Sequence, residues 1–343
     1  MPRIDVELLE EEWDEDFRPP RDKQYSVAAS ERIEQDEPAR VVAVDRGRVT
    51  VLLDGEVLEA TYAGSMRGVR VVVGDDVRVR PPRHETDTPR VTAALDRRSV
   101  LQRTGDDAVD EERVIAANVD QVVVVLAGDN LAAGARFLDR VLVAAELGGV
   151  EAVVCVNKLD VADPDEVAEV RRRYEDIGYE TLATSAETGE GLDQLRWQLE
   201  GVWSVLTGHS GVGKSSLYNI LVPDADQSVA EVGRRGGRHT TVASRAEPVA
   251  GLEDGWIVDT PGVRSFGLGF VGEEDLAEAF PELRDLGCEH DDCRHDGEPG
   301  CHLDTAEITE QRLATYRRLL SSIRGDDVWE RDEWGSDPEE DEA

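Results

Sequence analysis

Lysine is almost missing from this sequence. Lys23, Lys158 and Lys214 are the only lysines among 38 basic residues, which face 75 Asp+Glu for a formal net charge of -37 over 343 residues. A charge of that sign, evenly spread, would exclude nucleic acid as a partner, because phosphate binding runs on Lys and Arg. Cysteine is scarce too, at 4 residues, too few for a disulfide scaffold, so the chain reads as cytoplasmic. No stretch approaches the ~18 apolar residues of a membrane span, and the first residues are acidic rather than signal-like, so no membrane partner is expected. Acid excess with little lysine suggests adaptation to high salt; a codon bias toward Arg is the plainer alternative.

What is present is enough to fold. Hydrophobic residues make up 40% of the chain, and its length suits about two or three domains. The charge is uneven. Residues 1–37 carry 13 acids and 5 bases, and residues 325–343 carry 10 acids and 1 base. Neither end shows apolar periodicity, so both are expected to be disordered acidic tails, with Trp329 and Trp334 docking loosely on the body. Residues 38–98 instead hold 11 Arg and 9 acids, a basic island in an acidic protein. Short β-type runs fill it, at 41–44, 49–53, 57–62, 69–73, 77–80 and 91–95, with Asp54-Gly55 supplying a hairpin turn. That spacing predicts a small all-β OB-type barrel, and the arginines predict RNA contact.

From Asn118 the period changes. Apolar strands at 122–126, 152–156, 181–184, 202–207 and 256–258 alternate with helices at 137–147, 164–174 and 192–199. This is the pattern of a parallel sheet covered on both faces, assigned to residues 99–272. Residues 273–324 read as a helical module around a cysteine cluster, ending in a helix over 306–323.

Gly208-His209-Ser210-Gly211-Val212-Gly213-Lys214-Ser215-Ser216 is a GxxxxGK[ST] loop following a strand and opening a helix. Its backbone N–H groups suit phosphates, Lys214 the β and γ phosphates, and Ser215 Mg²⁺. Asn157-Lys158-Leu159-Asp160 has the NKxD arrangement, in which a carboxylate accepts from guanine N1–H and N2–H₂, selecting GTP and GDP over adenine nucleotides. Ser185-Ala186 follows the next strand and is placed to offer a backbone N–H to guanine O6. Asp259-Thr260-Pro261-Gly262 is a DxxG element, its Asp reaching Mg²⁺ through water and its Gly the γ-phosphate. Between loop and DxxG, Arg234 to Thr241 reads as switch I, with Thr241, or else Thr240, on Mg²⁺. NKxD and SA precede the phosphate loop, whereas ordinary GTPases place them last. The order is that of a circularly permuted P-loop GTPase, in which DxxG leads straight into the C-terminal module.

Cys288, Cys293, His295 and Cys301 form C-x4-C-x-H-x5-C, with His290 and His302 as nearby alternatives to His295. Three thiolates and an imidazole fill a tetrahedral Zn²⁺ shell with no open position, so one structural zinc is expected.

Together these motifs, with Gly237-Arg238-His239-Thr240-Thr241 and Asp259 to Leu268, resemble the ribosome small-subunit-dependent GTPase A family over about residues 38–324. The resemblance implies an OB domain, a permuted GTPase domain and a zinc domain. It also implies action late in small-subunit maturation, with rRNA and that subunit as partners and GTP hydrolysis on it. A monomer is expected. Where Ras-like enzymes carry a water-orienting Gln after DxxG, this chain has Val263, so slow intrinsic turnover is expected, with His239 as the residue that orients water.

Overall fold

In the computed structural model, residues 36–45, 48–82, 84, 87–103, 113–223, 244–259, 271–284, 286–290 and 293–324 are described. His239, Thr240, Thr241, Gly262, Val263, Trp329 and Trp334 lie outside them, as do 1–35 and 325–343 of the acidic ends.

The basic island folds into strands β1 (Glu37–Asp45), β2 (Arg48–Leu53), β3 (Glu56–Tyr62), β4 (Asp76–Arg80) and β5 (Arg90–Ala94). Asp54 and Gly55 both take positive φ, 49° and 82°, the turn that joins β2 to β3 without splaying them. The strands pair in the order β1-β2-β3-β5-β4, and β4 returns to β1, closing an OB-type barrel. Val41, Val49, Val51, Ala60, Val77, Val79 and Val91 fill it and are shut off from solvent. The run 69–73 is not a strand. Glycines 68 and 74, at φ 85° and 90°, turn the chain on either side of it, and the Val72 amide goes to the Asp75 carboxylate (2.8 Å) instead of a ladder. Its valines pack inward all the same.

A hairpin of β6 (Val100–Arg103) and β7 (Arg113–Ala117) leads into the second domain. There β8 (Gln121–Ala127), α1 (Leu131–Gly148), β9 (Glu151–Asn157), α2 (Pro164–Glu175), β10 (Glu180–Ala183), α3 (Leu192–Gln198), β11 (Trp203–Thr207), α4 (Lys214–Leu221), β12 (Arg245–Pro248) and β13 (Trp256–Asp259) follow in turn. The sheet runs β10-β9-β8-β11-β13-β12, parallel except for β12. Each residue of β8 is buried, with Val122 and Val124 in the core toward α1 and Val123 and Val125 in the core toward α3 and α4. That two-sided burial is why this strand is apolar throughout. Starts and stops follow chemistry. Asp163 caps α2, accepting from Asp165 N (2.8 Å), with Pro164 at the first helical position. Gly149 in the left-handed region closes α1.

The two sheets are continuous, because β12 pairs with β1 at Ala43 and Arg245. On β1 adjacent residues serve different cores, Val41 the barrel and Val42 the parallel domain. The C-terminal module contributes α5 (Glu273–Glu278) and α6 (Glu310–Arg324). Leu276, Phe280, Tyr316 and Leu319 bury themselves around Val143 of α1, with Phe280 and Tyr316 edge-to-face at 5.1 Å. Each such side chain contributes about 1.5–3 kcal/mol by burial. Asp139 of α1 accepts from Arg318 (2.6 Å) and Thr315 (3.3 Å) of α6, so the module is fastened to α1 by polar contacts as well.

Candidate functional site

The loop Gly208–Gly213 leaves the central strand β11 and enters α4. Gly213 takes φ 96°, and a Cβ there would lie 2.2 Å from Asn157 Nδ2, so no side chain fits. Gly211, at φ 80°, has nothing within 4 Å of where its Cβ would be, leaving the centre of the loop open. Lys214 folds back over this cradle, donating to the carbonyls of Gly208 (2.6 Å) and His209 (2.5 Å). Ser215 and Ser216 lie exposed in the first turn of α4. An open cradle of backbone amides, a helix N-terminus and a lysine are the parts a nucleotide phosphate requires, so the residues present fit the group. Burial first, and the Lys214 ammonium second, lower the His209 pKa, so its ring is neutral at pH 7 and sits 4.9 Å from Phe137.

The predicted base-reading residues converge on this loop. Asn157 ends β9 almost fully buried, at 1% exposure. Its Nδ2 donates to Val212 O (2.9 Å), and its Oδ1 accepts from Thr184 Oγ1 (3.2 Å) and from Ala186 N (3.2 Å). One side chain thus ties the phosphate loop, its own loop and the SA loop together. Ser185 Oγ donates to Asp160 Oδ1 (2.5 Å), fixing the carboxylate beside that junction, and Thr188 N donates back to Ser185 Oγ (3.2 Å). Leu159 N donates to Thr184 O (3.1 Å). Lys158 occupies the left-handed region at φ 68°. Asp259 ends β13, next to β11 in the sheet. Solvent reaches one side of it, while burial by the strand ends raises its pKa. The Ser215 hydroxyl and the Asp259 carboxylate are oxygen donors of the kind Mg²⁺ takes.

The cysteine cluster is equally specific. Ligand atoms of Cys288, Cys293, His295 and Cys301 all lie within 4.8 Å of one another. The three sulfurs stand 3.6, 3.6 and 3.7 Å from His295 Nδ1. Tetrahedral Zn²⁺ with Zn–N near 2.05 Å and Zn–S near 2.3 Å requires about 3.6 Å, so this donor set fits zinc. His295 bends inward at φ 52°. His302 turns its Nδ1 to Leu286 O (3.3 Å), while its amide donates to Cys288 Sγ (3.3 Å). Burial alone would raise the Glu298 pKa, but backbone N–H groups of Glu298, Asp296 and Arg294 lower it, and its carboxylate braces the knuckle. Tyr316 donates to Arg294 O (2.6 Å), binding α6 to the knuckle.

Two contributors escape the motif reading. Thr184 was legible as part of a loop, yet its hydroxyl contact to Asn157 was not. Asp129, which pairs with Lys158 at 2.9 Å, belongs to no motif. Its one signal is position, in the loop after the buried strand that adjoins β11.

Residues 94–269 match the RsgA GTPase family. A small ribosomal subunit biogenesis GTPase RsgA of Ectopseudomonas mendocina is 38% identical over 288 residues, 80% of this chain and 82% of that protein. A protein of the same name from Bacteroides fragilis is 35% identical over 284 residues, 78% of this chain and 90% of that one. The crystal structure of YjeQ from Thermotoga maritima superposes with a TM-score of 0.68 at 30% identity, covering 84% of this chain and 99% of that one. That of YloQ, a circularly permuted GTPase, shares the fold at TM-score 0.65 and 23% identity, over 85% and 96%.

Proposed function

The chain belongs to the RsgA GTPase family of GTP hydrolases, and from that premise we propose that it is an assembly factor acting late in small-ribosomal-subunit maturation, binding that subunit's rRNA and leaving it on hydrolysis. The observation that carries the nucleotide part is the Asn157 junction, which draws motifs from 157, 184–186 and 212 to one edge of the sheet. In this reading Asp160 and the Ala186 amide read guanine, Lys214 and the loop amides hold the phosphates, and Ser215, Thr241 and Asp259 serve Mg²⁺. Asp259 and Gly262 answer to the γ-phosphate state. The Cys288, Cys293, His295 and Cys301 set holds a structural zinc. The divisions follow: residues 38–98 for the barrel, 99–272 for the GTPase domain and 273–324 for the zinc module, in a cytoplasmic monomer.

Bound Mg²⁺ neutralises charge developing on the transferred phosphoryl group. The chain's own part is positioning. Val263 cannot orient water, so we assign that work to His239 when the chain is on the subunit. If His239→Ala kept full subunit-stimulated turnover, this assignment would be wrong.

The barrel's arginines temper the RNA reading. Arg40, Arg48, Arg80, Arg97 and Arg98 are each paired with an acid, Asp76, Glu59, Asp36, Asp75 and Asp120, at 2.6–3.1 Å. Much of the basic island is neutralised at home, and the support it lends to rRNA contact rests on the remainder, such as Arg67, Arg70 and Arg90. GTPase assays with and without purified small subunits, across a KCl series, test the proposal. Stimulation supports it; turnover indifferent to the subunit at every salt concentration refutes it.

A further inference from the structure

The Lys158 ammonium is held by a carboxylate that no nucleotide motif contains. Asp129 Oδ2 lies 2.9 Å from Lys158 Nζ, with the two side chains 42% and 32% exposed. Asp129 is presented by the loop 128–130 between β8 and α1, and that loop is fastened to the base-reading loop. Gly128 N donates to Asn157 O (2.7 Å), and a Cβ on Gly128 would come 2.6 Å from Ala162 Cβ and 3.0 Å from Asn157 O. The two loops are therefore held against each other by close backbone packing, which places the carboxylate within reach of Lys158.

Lysine has a flexible four-carbon stem whose rotamer freedom must be given up to hold one geometry. In an NKxD loop that reads guanine, the stem of Lys158 is expected along the purine face, where a wandering chain makes a poor wall. The phosphates already have Lys214, folded on its own loop. We propose that Asp129 is a positioning residue for guanine nucleotides: its carboxylate pins the Lys158 ammonium, so that the alkyl stem stands preformed as one wall of the base slot. The wall would be ready before nucleotide arrives, which lowers the ordering cost of binding.

The proposal rests on the base-reading role of the Asn157–Asp160 loop, and the two can fail separately. If Asp160→Asn did not shift preference from GTP toward xanthosine triphosphate, the base-reading role would fall, whatever Asp129 does. The test of Asp129 is a double-mutant cycle on the full chain with GDP, read by displacement of a fluorescent GDP analogue, after matched thermal melts show each variant folded. Asp129→Asn should raise the GDP Kd about three- to fivefold, the scale of a half-exposed ion pair, through faster release. Turnover at saturating GTP should be unchanged, and Asp129→Glu should restore most of the affinity. In a Lys158→Met background, which keeps an apolar stem without the ammonium, Asp129→Asn should have no further effect. An unchanged Kd, an equal loss in both backgrounds, or a fall in kcat at constant Kd overturns the proposal.

Discussion

Asn157→Ala is the sharpest probe of the nucleotide site. The substitution removes three hydrogen bonds from a side chain at 1% exposure, to Val212 O, Thr184 Oγ1 and Ala186 N. A net bond is worth about 0.5–1.5 kcal/mol, and a buried group left without its partner costs about 1–3 kcal/mol. The Val212 carbonyl is such a group, so with the two remaining bonds a total near 3 kcal/mol is expected. The three contacts join the phosphate, base-reading and SA loops, so most of the loss should fall on nucleotide affinity rather than on global folding. At 1.4 kcal/mol per decade the Kd for GDP should rise about 100-fold. The assay is stopped-flow release of a fluorescent GDP analogue, beside a thermal melt of the nucleotide-free protein. Asn157→Asp adds a control: it keeps the size but sets a carboxylate against the Val212 carbonyl, and should bind no better than the alanine variant. A Kd within twofold of the parent would refute the junction as the organiser of the site, as would a loss of stability with unchanged affinity.

Gly213→Ala should cost about 1–3 kcal/mol in nucleotide binding, since its Cβ meets Asn157 Nδ2 at 2.2 Å and φ is 96°; GDP titration checks it, and normal affinity would mean the loop relaxes freely. Chelation of zinc should loosen 273–324 while leaving GDP bound, measured by protease sensitivity of the C-terminal module; burial, with help from Cys301 and Cys288, pushes the metal-free Cys293 thiol up to about 12, so zinc uptake releases protons and affinity must fall as pH falls, which chelator competition at pH 6 and 8 resolves. Burial raises the Asp139 pKa despite Arg318 and Arg312, so the folded state holds that proton more tightly than the unfolded one. Its contribution is present below the ordinary carboxylate pKa and lost as pH rises through the folded value; thermal melts against pH should show that decline in the parent and not in Asp139→Asn.

The family of this chain and the grouping of its motifs were legible because phosphate-binding and zinc-type ligand sets tolerate few substitutes. The phosphate loop, NKLD and the Cys/His spacing each name their own ligand, and the valine runs of β8 and β9 announce a doubly covered sheet. Other features left weaker traces. The strand β12, Arg-Ala-Glu-Pro, is short and polar, because Pro248 ends it and the edge it occupies is completed by β1 of the barrel. The run 69–73 has strand composition, yet it packs valines from a turn, because β-propensity records burial as much as pairing. The helix α1 begins at Leu131, six residues before the run 137–147 that reads as helix, on an Ala-rich turn whose Gly134 sits under Leu126. Asp129 was hidden for a different reason: its role exists only where two loops from separate strands touch.

The permuted order has a consequence visible in the connectivity. In the strand order β10-β9-β8-β11-β13-β12, the phosphate-loop strand β11 lies between β8 and β13, so cutting the chain elsewhere leaves the site intact. The cut decides what adjoins the switches. The segment read as switch I ends near Thr241, four residues in sequence before β12, which is hydrogen-bonded to β1 of the barrel. The DxxG segment starts at Asp259 and leads to α5 at Glu273, inside the module that carries the Cys/His cluster. Each segment read as a switch is thus joined by chain to the edge of an appended domain, and a nucleotide-dependent change at either is expected to bear on the barrel or on the C-terminal module. The same module rests on α1, whose first turn follows the Asp129 loop, so the base-reading side meets it from the other direction. A protein that reports its nucleotide state to a large surface would gain from that wiring, because both appended domains are chained to one site.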